Sequence, residues 1–223
     1  MTLSSRLSEV TDRVAQAAAR SGRSASDLTI IPVTKFHPSA LIRELHGLGV
    51  RDVAENRHQE ARDKAAELAD LADLRWHFVG QLQGKKARQV RAYAHVIHSV
   101  DRASLIDALA SDETETRVFL QVNLTDDPAR GGVAAGALDD LVEHALAAPG
   151  IRLEGLMAVA PIGADPRAAF AHVRELSDRI RLVAPDAVSL SMGMSADFEE
   201  AIAEGATHLR IGTAITGNRP TDG

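Results

Sequence analysis

Apolar positions change their period as the chain is read from its start. Between residues 3 and 21 they recur at helical spacing, with Leu3, Leu7, Val10 and Val14 on one stripe. After a turn at Gly22, short runs rich in β-branched residues alternate with helical stretches. The runs predict strands at 28–33, 50–54, 74–78, 95–100, 117–122, 152–158, 187–191 and 208–211. Between them, one-sided stripes predict helices: Leu41, Leu45 and Leu48 form one, and Phe170, Val173, Ile180 and Val183 another. Asp101 is placed to cap a helix beginning at Arg102, and Asp165-Pro166 supplies an N-cap followed by proline at the first helical position. Crossovers of helical length imply parallel pairing. About eight such βα repeats predict a (β/α)8 TIM-type barrel rather than an open sheet. The N-terminal helix is an addition to that plan, able to stand where an eighth helix would, since almost nothing follows the last predicted strand. No linker or low-complexity tract divides the chain, so residues 1–223 are expected to form a single domain.

Composition narrows the function classes. The 223 residues include 45% hydrophobic and 25% charged side chains, ordinary for a globular protein. A net charge of −6 argues against nucleic-acid binding, which needs a basic stripe. With no cysteine, disulfides, thiolate metal sites and thiol nucleophiles are excluded. The first residues lack a signal-peptide core, no apolar run is long enough to span a bilayer, and a cytoplasmic monomer is expected. Only four of the 25 basic residues are lysines: Lys35, Lys64, Lys85 and Lys86. Where arginine serves for positive charge, a retained lysine invites a reading as an amine able to attack a carbonyl.

In an α/β barrel, chemistry gathers in the loops that follow the strands. Those positions hold Thr34-Lys35, Glu55-Asn56, Gly80, Asp101, Asn123, Met157 to Pro161, Ser191 to Ser195, and Arg210 to Thr213. Hydroxyl and glycine residues after strands seven and eight match the usual phosphate position of such barrels. Ser195 is expected to open the following helix, and Gly212-Thr213 to bring amides close to an anion. The plain alternatives are that Ser195 only caps a helix and Gly212 only ends a strand. Lys35 could likewise be an ordinary solvated lysine. Arg210, inside a barrel mouth, needs either a ligand or a carboxylate, and Glu55 is the candidate for the latter.

Several segments then occur together and in order: Val33-Thr34-Lys35, Glu55-Asn56-Arg57 with Gln59-Glu60, Trp76-His77-Phe78-Val79-Gly80 with Leu82-Gln83, and His98-Ser99-Val100-Asp101. They are followed by Val122-Asn123, Gly155-Leu156-Met157-Ala158, Ser191-Met192-Gly193-Met194-Ser195 with Asp197, and Arg210-Ile211-Gly212-Thr213. Across nearly the whole chain this series resembles the pyridoxal phosphate homeostasis protein family of the YggS/PROSC type, which shares its barrel with the N-terminal domain of alanine racemase. The resemblance implies pyridoxal 5′-phosphate (PLP) held as a Schiff base on Lys35, with its phosphate on Ser195, Gly212 and Thr213. It further implies Arg210 facing the pyridine nitrogen, Asn56 lining the pocket, and the Met192 to Met194 loop flanking the ring. Ala54, Lys85, Arg130 and Thr216 depart from the family pattern, and none is among these residues. The role implied is cofactor homeostasis, with PLP-dependent apo-enzymes as possible partners and without efficient turnover.

An amino-acid racemase of the same fold type is the alternative, and a Schiff-base lyase acting on phosphorylated sugars a third reading. Racemisation requires acid–base groups on both faces of the cofactor. The related racemase takes a tyrosine from a second domain and partner subunit. The only tyrosine here is Tyr93, in the helix before strand four and so expected at the wrong end of the barrel. Among the remaining signals, Gly80 to Lys86 falls one residue short of a P-loop and has no Ser/Thr after the lysine. Lys85-Lys86 reads as a solvated helix start. The nine histidines show no metal-ligand spacing, and His77 is either core or mouth. The stretch through Asp126-Asp127-Pro128 and Gly131-Gly132 is a polar loop, mobile or a simple turn.

Overall fold

The computed structural model describes residues 1–125, 127 and 130–219. Eight parallel strands follow one another around a ring: β1 (Thr29–Pro32), β2 (Asp52–Glu55), β3 (Arg75–Phe78), β4 (Val96–Val100), β5 (Thr116–Gln121), β6 (Ile151–Met157), β7 (Ser189–Ser191) and β8 (His208–Ile211). Ladders join β2 through β8 in order, and β8 pairs with β1. The remaining seam is closed by a parallel bridge between Val33 and Ala54, where the Thr34 amide donates to the Ala54 carbonyl at 2.9 Å. The sequence reading placed each strand within two residues.

The helices lie outside the ring: α1 (Leu3–Arg20), α2 (Ser39–Gly47), α3 (His58–Glu67), α4 (Ala87–Arg91), α5 (Ala103–Leu109), α6 (Leu138–Ala147), α7 (Pro166–Ile180), α8 (Phe198–Ala203) and α9 (Thr213–Thr216). The added helix α1 buries Leu3, Val10 and Val14 and packs on α8 and α9. Arg13 and Arg20 pair with Glu199 of α8, and Arg6 Nε donates to the Ile215 carbonyl at 2.7 Å. It thus covers the flank left by the very short α9. Asp165 caps α7 as expected, accepting the Arg167 amide at 3.0 Å.

Two expectations fail locally. Asp101 does not cap α5, whose N-cap is Arg102 without a side-chain bond. Its carboxylate pairs with Arg102 at 2.6 Å and accepts the Gly132 amide at 3.3 Å, tying the loops after β4 and β5 together. Leu48 and Val183 lie past the ends of α2 and α7, and both are exposed. The stripes stop where the helices stop.

Most apolar burial lies between the ring and the helices, among residues such as Leu45, Ile106, Val142, Phe170 and Ile202. Inside the ring, the side chains are polar to an unusual degree. His98 of β4 touches Ser191 of β7 and stacks on Phe119 of β5 with centroids 4.5 Å apart, while Arg117 of β5 pairs with Glu154 of β6 at 2.7 Å. His77 is an interior residue, not a mouth residue.

Candidate functional site

Lys35 stands in the turn directly after β1, half-buried. Both of its neighbours are pinned. The Thr34 carbonyl accepts from Lys64 Nζ at 2.9 Å, and the Thr34 hydroxyl donates to Glu55 at 2.7 Å. On the other side, the Phe36 amide donates to Glu60 at 2.6 Å, and Phe36 itself takes a left-handed φ of 68°. Lys64 joins the two anchors, sitting 2.7 Å from Glu55 and 2.8 Å from Glu60. Burial pushes the Glu55 carboxyl upward, against the pull of Lys64. A bulky residue accepts positive φ only when its surroundings over-determine it. Here two carboxylates and one buried ammonium do so. The Lys35 amine makes no hydrogen bond or ion pair among the described residues. The Phe36 ring, flanked by Arg57 and Arg219, lies 5.8 Å from it.

The end of β8 lies beside this turn. Ile211 pairs with Pro32, and the Val33 amide donates to the Ile211 carbonyl at 2.9 Å. Gly212, the next residue, is therefore against Val33 and two residues from Lys35 along β1. The amides of Gly212 and Thr213 find no acceptor among the described residues, and that of Ala214 reaches Ser195 Oγ at 3.4 Å. Ser195 does not open α8, which starts at Phe198 with Asp197 as its N-cap. The Asp197 carboxylate instead accepts the Met194 amide at 2.6 Å and folds 194–197 into a turn, which aims the Ser195 hydroxyl at the start of α9. Met192 is fully buried in the apolar core and can offer a ligand only its backbone, whereas Met194 is exposed.

Arg210 is the largest surprise of charge. It is buried, yet it has no carboxylate partner among the described residues. Nη1 donates to the Ser191 carbonyl and hydroxyl, both at 2.6 Å, and Nη2 to the Ala158 carbonyl at 2.8 Å. Burial lowers its pKa to about 10, so it stays cationic at neutral pH. The proposed pair with Glu55 is not formed, because Lys64 and Thr34 occupy that carboxylate. Asn56, after β2, buries an Oδ1 atom with no hydrogen-bond partner. Gly80 makes its placement possible: a Cβ there would sit 2.0 Å from the Asn56 carbonyl oxygen. Tyr93 packs outside the ring, its hydroxyl 3.3 Å from His58 Nδ1 at the start of α3.

These features agree with what the chain is similar to. The model of the alanine racemase N-terminal domain family matches residues 6–220. The pyridoxal phosphate homeostasis protein of Pseudomonas aeruginosa is 40% identical over 225 residues, covering 98% of this chain and 96% of the relative. The chain belongs to the pyridoxal phosphate homeostasis protein family. The structure of PipY from Synechococcus elongatus with PLP bound superposes with a TM-score of 0.84 at 36% identity, covering 97% of this chain and all of that one. Alanine racemase from Corynebacterium glutamicum, at 15% identity and a TM-score of 0.69, shares the fold; the match covers 95% of this chain and 60% of the racemase.

Two groups of residues in this member of the family were missed from sequence. Glu60 and Lys64 stand four apart on α3, and the scarcity of lysine flagged Lys64 without showing its partners. The spacing of the histidines along the chain excludes a metal motif but carries no sign of hydrogen bonds between strands. Among the departures from the family pattern, Thr216 donates its hydroxyl to the Gly212 carbonyl at 3.2 Å, and Ala54 supplies the carbonyl that closes the ring. Lys85 is exposed, while Lys86, with Arg57, His58, Gln81 and Gln83, lines a cavity of about 440 Å³ beside the Asn56 loop. Gly131 and Gly132 both take positive φ, whereas Asp126 and Pro128 of the same polar loop lie outside the described residues.

Proposed function

We propose that this chain binds PLP covalently through Lys35 and serves its homeostasis without efficient catalytic turnover, the whole chain acting as one binding barrel. The observation that carries this reading is the seam between β1 and β8. It brings the turn that carries Lys35 alongside Gly212 and Thr213, whose amides find no acceptor among the described residues, with the Ser195 hydroxyl at the start of α9. Lys35 would hold the aldehyde end, while Ser195, Gly212 and Thr213 would hold the phosphate through hydroxyl and backbone donors. Arg210 and Asn56 would line the ring, together with the Met192 to Met194 loop. Bound there, PLP supplies a carbon that amines can exchange upon and a ring able to accept electrons. The Asn56 oxygen, without a hydrogen-bond partner among the described residues, and the buried Arg210 cation, with no carboxylate in contact, suit such a group. The name of the Pseudomonas relative and the PLP in PipY point the same way.

The chain's own residues argue against rapid turnover. A guanidinium has only donors, so a ring nitrogen facing Arg210 is kept as an acceptor and uncharged, which weakens the electron sink. In this reading Lys35 would serve the reacting carbon from one face, and Tyr93 is engaged outside the ring with His58. PLP-dependent apo-enzymes are the recipients this role requires. Among the described residues, no helix is long and apolar enough to cross a membrane.

Purified protein loaded with PLP should absorb as a lysine-bound cofactor, and borohydride should fix one equivalent on Lys35 by peptide mapping. Lys35→Ala should lose the colour. Equal binding by that variant refutes the assignment. Deuterium exchange at the α-carbon of alanine at an enzymic rate refutes the non-catalytic half.

A further inference from the structure

An unbroken hydrogen-bond chain crosses the barrel interior from the rim where strands begin to Arg210. Asp52 Oδ1 lies 2.9 Å from His77 Nε2, and His77 Nδ1 lies 2.8 Å from His98 Nε2. His98 Nδ1 lies 2.8 Å from Ser191 Oγ, which lies 2.6 Å from Arg210 Nη1. Elementary donor and acceptor rules fix every proton in it. Arg210 only donates, so Ser191 Oγ accepts from it and has its own hydrogen free for His98 Nδ1. Burial pushes Asp52 upward, but hydrogen bonds from Arg75 and His77 outweigh it and keep the carboxylate ionised. Asp52 therefore only accepts, and His77 carries its hydrogen on Nε2. Burial lowers the pKa of both histidines, so both rings are neutral. His77 Nδ1 then accepts from His98 Nε2–H, and His98 Nδ1 accepts from Ser191. All four links point one way, from guanidinium to carboxylate. Moving the His77 hydrogen to Nδ1 would set donor against donor at His98 and acceptor against acceptor at Asp52, and moving the His98 hydrogen to Nδ1 would leave two acceptors facing each other at His77.

We propose that Asp52, His77, His98 and Ser191 are positioning residues for Arg210, a one-way chain that holds Ser191 Oγ as an acceptor and so fixes the guanidinium toward the ligand end of the barrel. The inference rests on the reading that PLP sits at Lys35 with its ring facing Arg210. Among the described residues the other hydrogen bonds of Arg210 go to the Ser191 and Ala158 carbonyls, and Asp197 acts on it through space without a hydrogen bond. The chain is its connection to a carboxylate, in a setting where linked hydrogen bonds polarise one another. A carboxylate at one rim thereby acts on how the opposite rim meets its ligand.

The test has two parts. In the protein without cofactor, nitrogen-15 NMR of the imidazoles at pH 7 should show His77 and His98 neutral and protonated on Nε2. A charged His98, or one protonated on Nδ1, overturns the proposal. With PLP added, Ser191→Ala and His77→Phe should each weaken retention about tenfold and move the absorption band of the bound cofactor. Arg43→Gln, which removes an exposed ion pair with Asp70 outside the chain, should change neither. Unaltered retention and band position in Ser191→Ala and His77→Phe, with the wild type still modified on Lys35, refute the chain and leave the binding reading standing. A wild type that yields no adduct on Lys35 refutes the binding reading and this inference with it.

Discussion

Replacing Lys64 by methionine removes the charge that holds the Lys35 turn while keeping nearly the same volume. The lysine side chain is 8% exposed and donates to Glu55, Glu60 and the Thr34 carbonyl within 2.9 Å. Glu55 is 1% exposed, and its Oε2 already lacks a partner. Breaking a buried pair by removing one member costs about 3–5 kcal/mol, because the other charge is stranded. Glu55 can escape part of that cost by taking up a proton, since burial already raises its pKa. A loss of about 3 kcal/mol at pH 7.5 is expected, or roughly 6–12 °C in Tm for a chain of this size. The sign with pH follows from linkage. A carboxyl whose folded pKa lies above its unfolded value favours the native state below the unfolded pKa and loses that contribution as pH rises through the folded one. The gap between wild type and variant should therefore narrow as pH falls from 7.5 to 5.5. His37 does not cancel from this difference: burial and Lys64 both lower its pKa, so removing Lys64 eases its protonation and narrows the gap in the same direction. Glu55→Gln combined with Lys64→Met should recover most of the loss, as removing both partners strands neither. Urea unfolding of the cofactor-free proteins at the two pH values measures all of this. A penalty below about 1 kcal/mol at pH 7.5, or one that grows on acidification, refutes the account of the clamp.

Other consequences can be checked separately. Gly80→Ala places a methyl 2.0 Å from the Asn56 carbonyl oxygen, so it should cost about 1–3 kcal/mol and weaken PLP retention, as read by denaturation and titration. Asp165→Ala removes the α7 cap and should cost about 1 kcal/mol in urea unfolding, with PLP binding unchanged. His208 is half-buried, and desolvation lowers its pKa to about 4, so stability should decline as pH falls from the unfolded-state value near 6.5 toward 4. His208→Asn should flatten that decline by at most about 1.4 kcal/mol per pH unit in denaturant titrations, and an unchanged slope would count against a neutral ring.

The course of the backbone could be read from the sequence because it depends on short-range periodicity. Runs of Ile, Val and Leu at strand length, separated by one-sided helical stripes, leave parallel pairing and ring closure as the economical outcome. Lys35, Asn56 and Gly212 could be singled out for the same reason: each follows a strand, and strand ends meet at one mouth. What could not be read is which side chains meet across the ring. Glu55 was matched to Arg210 by charge, yet Lys64 reaches it from α3 and leaves Arg210 to carbonyls and a serine. Ser195 has the sequence context of a helix cap, yet Asp197 closes a turn over 194–197 and takes the N-cap position itself. His77, His98 and Ser191 are far apart in sequence, and only the barrel's curvature brings their ring nitrogens and hydroxyl within 2.8 Å of one another in series. Local patterning selects the fold because each element reports its own buried face. The partners of a buried charge are settled by three-dimensional proximity, where the low dielectric makes every pairing costly to get wrong.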